Sequence, residues 1–491
     1  MSDRLKIAVV HYHFKPGGVT RVAQSTLSGF EKLSEDIQFG FISGPPGYSD
    51  DDSQSRCLDE LGYTSANQTI DPEALYFSII GAAREIFDGL PDVWHIHNHS
   101  LGKNKAFAGV VRRLAADGRP LLLHIHDFAE DGRPSNYAHI QEGLESPEDL
   151  YPIGEHIHYA LLNGRDFAIM REAGIPASNI HLLPNPVPAP QGTFDETPAD
   201  LSAICERDRL FLYPVRAVRR KNLGELLFWG ALAPEDTWLA NTLDPSNPNF
   251  RPAFDAWIEK AKALELPVVF ELGSRTDASF DEIIARAETM VTTSVAEGFG
   301  LGFLEPWTFG KAVIGRDLPE ITQDFKEEAL HLDHLYARLD IPVDFVGDLG
   351  PLKEETRTHF AELREQYGEA YSEEDIDEIF ETWIQNDHID FGVLSEPFQE
   401  SIIERVISER PAWAQKLADT FFGGEISSDA IESNDSIIRK SYTPQSYAET
   451  LLDIYNTLAS ARVERVLGHI DPRGVLSSFL SPTRFNLLRS S

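Results

Sequence analysis

The stretch VAEGFGLGFLEPWTFGKAVIGRD, from Val295 to Asp317, decides the fold class of this chain. It follows an apolar run typical of a buried strand, and it sets alternate glycines between two carboxylates, Glu297 and Glu305. A glycine-rich turn between a strand and a helix lets backbone N–H groups approach an anion, and the helix adds the positive end of its dipole. The turn is therefore predicted to hold a phosphate through Gly298, Gly300, Leu301 and Gly302.

The two carboxylates need their own explanation, because a negative side chain beside a phosphate is unfavourable. Glu297 and Glu305 make sense if they accept hydrogen bonds from hydroxyl groups of a sugar or a ribose. The glycine spacing matches neither the dinucleotide fingerprint nor the P-loop, so neither of those sites is predicted. Taken alone, an ordinary turn with a carboxylate capping a helix explains the stretch about equally well.

Strand and helix patterns alternate on the N-terminal side of this stretch. Short apolar runs such as KIAVVHYHF and LFLYPVRAV are separated by helical patterns, which predicts right-handed crossovers and doubly wound parallel sheets. A segment rich in proline, from His181 to Leu201, indicates a linker between domains. The predicted divisions are residues 1–190, residues 191–325, an acidic and mostly helical segment over 326–437, and C-terminal helices over 438–491.

The charge and cysteine content of the chain restrict its partners and location. With 43 basic and 79 acidic residues among 491, the net charge is −36, which argues against nucleic acid or an anionic membrane as the main partner. No apolar stretch approaches the ~18 residues that indicate a membrane-spanning helix. Cys57 and Cys205 cannot make a disulfide framework, so a reducing, cytoplasmic compartment is expected.

A basic segment, VRAVRRKN, lies C-terminal to the predicted linker. Arg216 falls at the end of a predicted strand and Lys221 at the start of the next helix. Cations at a strand end can neutralise a departing diphosphate, with arginine as a bidentate donor and lysine as a point charge. A solvated basic turn is the alternative explanation, and it is the expected one for Arg219 and Arg220.

The remaining candidates lie at strand ends in the N-terminal half. Gly17 and Gly18 follow the first strand and precede a helix, and such a loop can approach a ligand closely. Two strands carry histidines at alternate positions: His95, His97 and His99 on the first, His124 and His126 on the second. No HExxH motif or cysteine pair accompanies them, so hydrogen-bonded polar groups are favoured over a zinc site. His126, at the C-terminal end of its strand, is the best placed for substrate contact.

Together these signals resemble the retaining GT-B glycosyltransferases, specifically glycosyltransferase family 4. Glu297 and Glu305 are separated by seven residues, the EX7E pattern, and the glycine pair, the Arg216/Lys221 pair and the LLPNPV segment accompany it. The resemblance extends from about Lys6 to Phe325, and resumes over Asn434–Leu458. It implies an α/β fold of GT-B architecture, in which two doubly wound Rossmann-like domains face a central cleft, here with a helical acidic insertion.

The resemblance also implies a role for each domain and each donor-site residue. The N-terminal domain, residues 1–190, would bind mainly the acceptor, and residues 191–325 the nucleotide sugar. Glu297 would hold hydroxyl groups of the donor hexose and Glu305 the ribose. Arg216 and Lys221 would stabilise the departing diphosphate, assisted by the backbone of Phe299–Leu301.

Two positions of the N-terminal domain complete the implied site. Gly18, with Gly17 beside it, would lie near the diphosphate, and His126 near the sugar and the reaction centre. The implied enzyme is a metal-independent hexosyltransferase without a cofactor. Its substrates would be a donor of the UDP-glucose or GDP-mannose type and a hydroxyl group of a soluble small molecule or glycan.

Several alternatives and departures stay open. A GT-B sugar phosphorylase, a nucleotide-sugar-binding module without turnover, and a metal-dependent hydrolase built on the histidines are the competing functions. Pro306 and Trp307 stand where the family has small or flexible residues. The acidic segment 326–437 has no counterpart in the family, so its role and the existence of a homo-oligomer are open.

Overall fold

The structure, a computed structural model, describes residues 4–33, 35–49, 53–65, 68–187, 197–464 and 466–489. Its strands are β1 Leu5–His11, β2 Ile37–Ser43, β3 Ser55–Cys57, β4 Val93–His97, β5 Leu121–Ile125, β6 Pro152–Ile153, β7 Ile157–Leu161, β8 Ile180–Leu182, β9 Arg209–Arg216, β10 Thr237–Leu243, β11 Val268–Val269, β12 Thr289–Thr292, β13 Val313–Gly315, β14 Asp340–Pro342, β15 Ile384–Gln385, β16 His388–Asp390 and β17 Gly468–His469.

Its α-helices are α1 Gly18–Leu33, α2 Pro72–Phe87, α3 Phe107–Ala116, α4 Pro134–Gly143, α5 Gly164–Glu172, α6 Leu223–Ala231, α7 Arg251–Ala263, α8 Phe280–Arg286, α9 Glu305–Thr308, α10 Pro319–Glu327, α11 Val343–Val346, α12 Gly350–Gln366, α13 Glu373–Trp383, α14 Glu396–Glu409, α15 Ala412–Gly423, α16 Ser428–Ser441, α17 Pro444–Ala459 and α18 Pro472–Phe479. None of the helices in the described part of the chain is long and apolar enough to cross a membrane.

The chain divides into two compact units. Unit 1 comprises residues 1–188, 363–369 and 442–481, and unit 2 comprises residues 189–362, 370–441 and 482–491. The boundary falls within the segment predicted as a linker, of which residues 188–196 lie outside the described residues. Most of the acidic segment belongs to unit 2, whereas α17 and α18 belong to unit 1.

Unit 1 is built on a parallel sheet of seven strands in the order β3-β2-β1-β4-β5-β7-β8. The central strands are buried on both faces, as expected for a sheet covered by helices on both sides. On β1, Ala8 and Val10 pack with α2 and α3, while Ile7 and Val9 pack with α1 and α17. The prediction of a doubly wound parallel domain is confirmed.

Helix α17 begins at a capping box and closes one face of unit 1. The Thr443 side chain accepts a hydrogen bond from the Ser446 N–H, and Pro444 occupies the first turn, where a missing N–H costs nothing. Helix α1 meets it at Gly29, where an added Cβ would collide with the carbonyl oxygen of Pro444. The close approach buries Tyr447, Leu451 and other residues of α17 against the sheet.

Unit 2 repeats the same topology with a parallel sheet of five strands, in the order β11-β10-β9-β12-β13. In each unit, the first strand of that unit has the second strand on one side and a later strand on the other. The order therefore reverses between β1 and β4 in unit 1 and between β9 and β12 in unit 2. Ligands of such sheets bind outside the strand C-termini at this switch point.

The acidic segment is mostly helical, as predicted, with a small antiparallel sheet in the order β14-β16-β15. Its α14 packs on α6, where Gln399 lies against Gly224, and Phe391, in the 3₁₀ turn before α14, packs against Phe228. Helix α6 is buried along nearly its whole length, and an all-round apolar helix needs such a cover. The segment therefore completes the core of unit 2.

A buried ionic network ties the segment to the sheet of unit 2. The Arg316 guanidinium donates to Glu225 (Nη2–Oε2 2.6 Å) and to Asp390 (Nη1–Oδ2 2.8 Å), and all three side chains are buried. Tyr336 and Asn222 also donate to Glu225, each at 2.8 Å. Because Arg316 pairs with both carboxylates, this residue links three segments that are far apart in the sequence.

Candidate active site

A cavity of about 480 Å³ in unit 2 lies at the switch point between β9 and β12. The polar part of its wall comes from the turn after β9 and the turn after β12. Eight residues predicted for the donor site line it: Arg216, Lys221, Glu297, Phe299, Gly300, Leu301, Gly302 and Glu305. Gly298 lies between two of these residues but is not part of the wall. The parallel sheet thus brings together side chains that are up to 89 residues apart.

The centre of the polar wall is an ion pair between Lys221 and Glu297, whose Nζ and Oε1 atoms are in hydrogen-bond contact. Burial opposes charge on both groups. For Lys221, burial and the charge of Arg220 outweigh the attraction of Glu297 and lower its pKa. For Glu297, burial is outweighed by the positive charges of Lys221 and Arg220, which hold its pKa below the ordinary value. Glu297 is therefore held as a carboxylate.

The backbone of the cationic turn is fixed by hydrogen bonds from neighbouring strands. The carbonyl oxygen of Lys221 accepts from Tyr213 Oη (3.1 Å) and from Thr293 Oγ1 (2.9 Å). The N–H of Val295 donates to the carbonyl oxygen of Arg220 at 2.9 Å. These bonds connect the turn that carries the cations to the turn that carries Glu297, so the two groups keep a constant separation.

The acidic segment supports the same turn from the other side. Arg219 forms a bidentate ion pair with Glu396 of α14, with nitrogen–oxygen distances of 2.7 and 2.8 Å. Asn222, at φ 48°, accepts a 2.9 Å hydrogen bond from Gln399 of the same helix. The expectation that Arg219 is solvated is wrong, because its partner lies 177 positions away in the chain.

Arg220 is the site residue that sequence reasoning missed. It was expected to be solvated, yet it lines the cavity and acts electrostatically on both Lys221 and Glu297. Its place within a run of three basic residues was the available signal. A single turn of 3₁₀-helix, Arg219–Lys221, sends consecutive side chains in different directions and so separates Arg219 from the cavity.

The glycine-rich turn differs from its prediction in one respect. Gly300 adopts φ 91°, and a Cβ there would meet Ile321 and Phe303, so glycine is required. The helix predicted after it is instead a 3₁₀ turn, Leu301–Phe303, followed by the four-residue α9. Pro306 falls in the first turn of α9, and Trp307 is fully buried. With so short a helix, the anion would depend on side-chain cations and single N–H groups more than on a helix dipole.

The cavity wall also contains apolar side chains. They include Ile284, Met290, Phe309 and Phe280, and Phe280 is 50% exposed. Ligand sites commonly combine an apolar wall with a few convergent polar groups. Apolar and cationic side chains in one cavity suit a molecule that joins a flat base to charged groups.

The two glycines predicted in unit 1 lie at its switch point, after β1. Gly17 and Gly18 are exposed, and an added Cβ would meet nothing closer than 3.7 Å at Gly17 and nothing within 4 Å at Gly18. Neither glycine has the positive φ that would require this residue type. Local packing therefore does not explain the pair, and close approach of a ligand remains the prediction for them.

His126 is held firmly at the C-terminal end of β5. Its backbone N–H donates to Asn98 Oδ1 at 2.7 Å, and its Nε2 pairs with His97 Nδ1 at 2.9 Å. Burial, reinforced by His11 and His95, lowers its pKa to about 3. The ring is neutral near pH 7, which suits a hydrogen bond to a sugar hydroxyl better than a charge interaction.

The other histidines predicted on the two strands, His95, His97 and His124, form a buried array, whereas His99 lies apart from it. His95 Nε2 pairs with His124 Nδ1 at 3.1 Å, and His95 Nδ1 with Tyr455 Oη at 2.7 Å. Nitrogens of His95, His97 and His124 lie within 4.8 Å of one another and could hold a metal ion. These hydrogen bonds already use both nitrogens of His95, and the expectation of a site without metal stays a prediction.

His99 does not share the strand face of His95 and His97, so that part of the prediction is wrong. Strand β4 ends at His97, and Asn98 takes the left-handed conformation at φ 57°. The chain then turns into a 3₁₀-helix, and His99 Nε2 lies 3.1 Å from the carbonyl oxygen of Leu150. The Asn98 turn breaks the period of two on which the prediction depended.

Glu130 lies in the loop that follows His126 and is fully buried. Tyr151 Oη donates to its Oε1 at 2.8 Å, whereas Oε2 has no partner among the described residues. Burial raises the pKa of Glu130 to about 7. The folded chain therefore keeps a proton between pH 4.5 and about 7 that the unfolded chain has lost, so stability falls as the pH rises through this window.

We expect Glu130→Gln to be more stable than the parent at pH 8 by up to about 3 kcal/mol, the equivalent of the pKa difference. At pH 5 the two proteins should unfold alike, since the parent carboxyl is then protonated. Urea unfolding at both pH values measures this. Glu369→Gln, in the same unit, is the control, and an equal stability difference at both pH values would contradict the assignment.

Comparisons with known proteins were made on sequence and on structure. No model of a known protein family matches the chain. Mannosylglucosyl-3-phosphoglycerate synthase of Petrotoga mobilis (strain DSM 10674 / SJ95) is 26% identical over 401 residues, which cover 76% of this chain and 78% of that protein.

Two solved glycosyltransferases have a fold similar to that of this chain. The glycosyltransferase from Rickettsia africae ESF-5 superposes with a TM-score of 0.53 at 13% identity, covering 93% of this chain and 99% of that one. The apo form of the lipopolysaccharide outer core galactosyltransferase WaaB superposes with a TM-score of 0.50 at 15% identity, covering 92% and 99%. The fold is therefore GT-B, with two Rossmann-like domains, and the comparisons support glycosyltransferase activity.

Proposed function

We propose that the chain is a retaining glycosyltransferase of the family 4 type, which moves a hexosyl group from a nucleotide-diphosphate sugar to a hydroxyl group of a soluble acceptor. The observation that carries the proposal is the composition of the cavity in unit 2. Three cations, Arg216, Arg220 and Lys221, share it with the carboxylates Glu297 and Glu305. In a chain with a net charge of −36, this local excess of positive side chains calls for an anionic ligand.

The cations are suited to a leaving diphosphate. Lys221 and Arg220 carry their charges within the cavity, and Arg216 lies at its rim with 46% of its side chain exposed. A charge in a water-poor site stabilises developing negative charge more strongly than one in water. The group that departs gains charge in the transition state, so these side chains favour the transition state over the bound donor.

The carboxylates and the apolar wall are suited to the two ends of the donor. Glu297, ionised and beside Lys221, can accept hydrogen bonds from hexose hydroxyls. Glu305 also lines the cavity, where it can accept hydrogen bonds from the ribose. The base can then pack against the apolar side chains of the wall.

The reaction that fits these groups is displacement on the face from which the diphosphate leaves. The bond from the anomeric carbon to the diphosphate oxygen breaks, and the acceptor oxygen bonds to the same face of that carbon. The acceptor proton passes to the departing diphosphate, so no protein base and no covalent intermediate are needed, and the anomeric configuration is retained. The cations take the place of a metal ion in this scheme.

The name of the relative suggests the substrates to try first. Its product contains a mannosyl group, a glucosyl group and 3-phosphoglycerate. A donor of the GDP-mannose or UDP-glucose type and an acceptor that is a small sugar derivative therefore come first for this chain. A cytoplasmic location fits such substrates and stays a prediction.

A direct test incubates the chain with GDP-mannose, UDP-glucose and ADP-glucose, each with glucosyl-3-phosphoglycerate or simple glucosides, in the presence of EDTA. We expect product with one donor, and NMR of the new anomeric centre should show the configuration of the donor. That nucleotide should also raise the melting temperature, since a ligand at 100 times its Kd stabilises by ~2.7 kcal/mol.

Each other outcome contradicts a named part of the proposal. Product of inverted configuration overturns retention, and activity that EDTA abolishes overturns metal independence. Turnover of a sugar 1-phosphate in place of a nucleotide sugar indicates the phosphorylase. Binding of a nucleotide sugar without turnover on any acceptor indicates a binding module.

A further inference from the structure

A second group of charged and aromatic side chains lies at the C-terminal edge of the sheet in unit 1. Lys103 follows the turn after β4, and its Nζ sits 5.7 Å above the centre of the Tyr63 ring. The side chain is half-buried, yet its ammonium group has no hydrogen bond or ion pair with any described residue. In so acidic a chain, a half-buried lysine without a carboxylate partner stands out.

The charges around Lys103 leave a positive excess. Burial, and then the nearby charge of Arg133, lower the pKa of Lys103, while Asp127 raises it. Arg133 is paired with Asp127 (Nη2–Oδ1 2.6 Å), so that carboxylate is already neutralised. His13 is also near, and burial followed by the charge of Lys15 lowers its pKa, so it adds no charge. Within the described part of the chain, Lys103 therefore has no carboxylate of its own, since Asp127 is shared with Arg133.

Hydrogen bonds fix the loop that carries Lys103. The Asn104 side chain donates to the carbonyl oxygens of Glu60 and Gly62, each at 2.8 Å. The N–H of Thr64 donates to the carbonyl oxygen of Lys103 at 2.9 Å. These bonds tie the loop that carries Tyr63 to the loop that carries Lys103.

The aromatic wall beside Lys103 is partly open to solvent. Tyr63 is 50% exposed, and its ring packs edge-on against Tyr12 at 5.5 Å and beside His13 at 4.8 Å. An exposed tyrosine face is a common wall for a sugar ring, since it is apolar in the middle and polar at its tip.

The group also lies close to the predicted reaction centre. Asp127, which pairs with Arg133, directly follows His126, and the N–H groups of both residues donate to Asn98 Oδ1 at 3.1 and 2.7 Å. A small acceptor with its reacting hydroxyl group near His126 can therefore extend to Lys103 without leaving this edge of unit 1.

We propose that Lys103, with the charge of Arg133 nearby and Tyr63 as a wall, binds an anionic group of the acceptor, a phosphate or a carboxylate, and so selects anionic sugar derivatives over neutral ones. The inference rests on the proposed glycosyltransferase function and adds the substrate class.

The test compares Lys103→Met with the parent on two acceptors, glucosyl-3-phosphoglycerate and methyl glucoside. The donor is the nucleotide sugar that supports transfer in the assay described under the proposed function. We expect KM for the anionic acceptor to rise about tenfold or more, because a hydrogen bond between charged groups is lost. KM for the donor and for methyl glucoside should stay unchanged. Lys32→Met, which removes an exposed positive charge from the same unit, is the control, and Lys103→Arg should retain most of the preference.

A binding measurement separates the two kinds of anion. The melting temperature of the parent should rise with 3-phosphoglycerate, and that rise should be absent in Lys103→Met. A rise with glycerate as large as that with 3-phosphoglycerate assigns the site to the carboxylate, and a rise with inorganic phosphate alone assigns it to the phosphate.

Two failures are distinguishable. A parent enzyme that transfers no sugar at all contradicts the proposed function. If the parent is active but Lys103→Met keeps both its KM for the anionic acceptor and the melting-temperature rise with 3-phosphoglycerate, the anion site alone is contradicted.

Discussion

Lys221→Ala should lose at least ~10²-fold in kcat, because removing one group that stabilises transition-state charge typically costs about 2.7–4 kcal/mol. Lys221 is the cation closest to Glu297 in the cavity, and its backbone is fixed from two neighbouring strands. Steady-state kinetics with the preferred donor measure the loss. The melting-temperature rise produced by the matching nucleoside diphosphate should shrink in parallel, since the same charge binds the diphosphate.

A loss of activity through misfolding must be separated from a loss through chemistry. Truncating Lys221 also leaves the largely buried Glu297 carboxylate without its lysine partner, which lowers stability. The double variant Lys221→Ala with Glu297→Gln should regain melting temperature without regaining turnover. Lys262→Ala, an exposed lysine of the same unit, should behave as the parent. Turnover of Lys221→Ala within a few fold of the parent would remove the residue from the mechanism.

Arg316→Met should destabilise unit 2 by about 3–5 kcal/mol, the usual result of removing one member of a buried ionic network. The substitution leaves Glu225 and Asp390 facing each other in the core, with their shared cation gone. Tryptophan fluorescence during urea unfolding suits the measurement. Six of the seven tryptophans lie in unit 2, and Trp229 donates to Tyr336 within the network itself.

A combined variant shows whether the cost comes from uncompensated charge. Arg316→Met together with Glu225→Gln and Asp390→Asn should recover much of the lost stability, because neutral amides are cheaper to bury than carboxylates. Arg357→Met breaks an exposed pair with Glu373 and should leave the stability nearly unchanged, because exposed ion pairs contribute little. An Arg316→Met protein as stable as this control would show that the network is not required.

Local sequence was sufficient for the features that depend on strand ends. The alternation of apolar runs predicted two parallel sheets, and parallel sheets place all strand C-termini at one edge. Arg216, Lys221 and Glu297 could therefore each be assigned to the region of a strand end, and the family resemblance predicted that they share one site. In the structure all three line one cavity. Gly300 followed from the same pattern, because the turn requires a backbone conformation that few other residues adopt.

Contacts between distant segments could not be predicted in this way. The partner of Arg219 is 177 positions away, and the partners of Arg316 are 91 and 74 positions away. No periodicity connects such positions, since their meeting depends on how the acidic segment packs over α6. For the same reason the sequence did not distinguish Arg220, which faces the cavity, from Arg219, which faces α14.

The sequence by itself determined the two parallel sheets and the edges at which ligands are expected, because both follow from local periodicity. The joint assignment of the candidate donor-site side chains came from the resemblance to the GT-B glycosyltransferases. The tertiary structure alone decided which cations lie free to meet a ligand and which are neutralised. A buried charge takes its properties from whatever group packing brings within a few ångströms, and for Lys103, Arg219 and Arg316 that depends on segments remote in the chain.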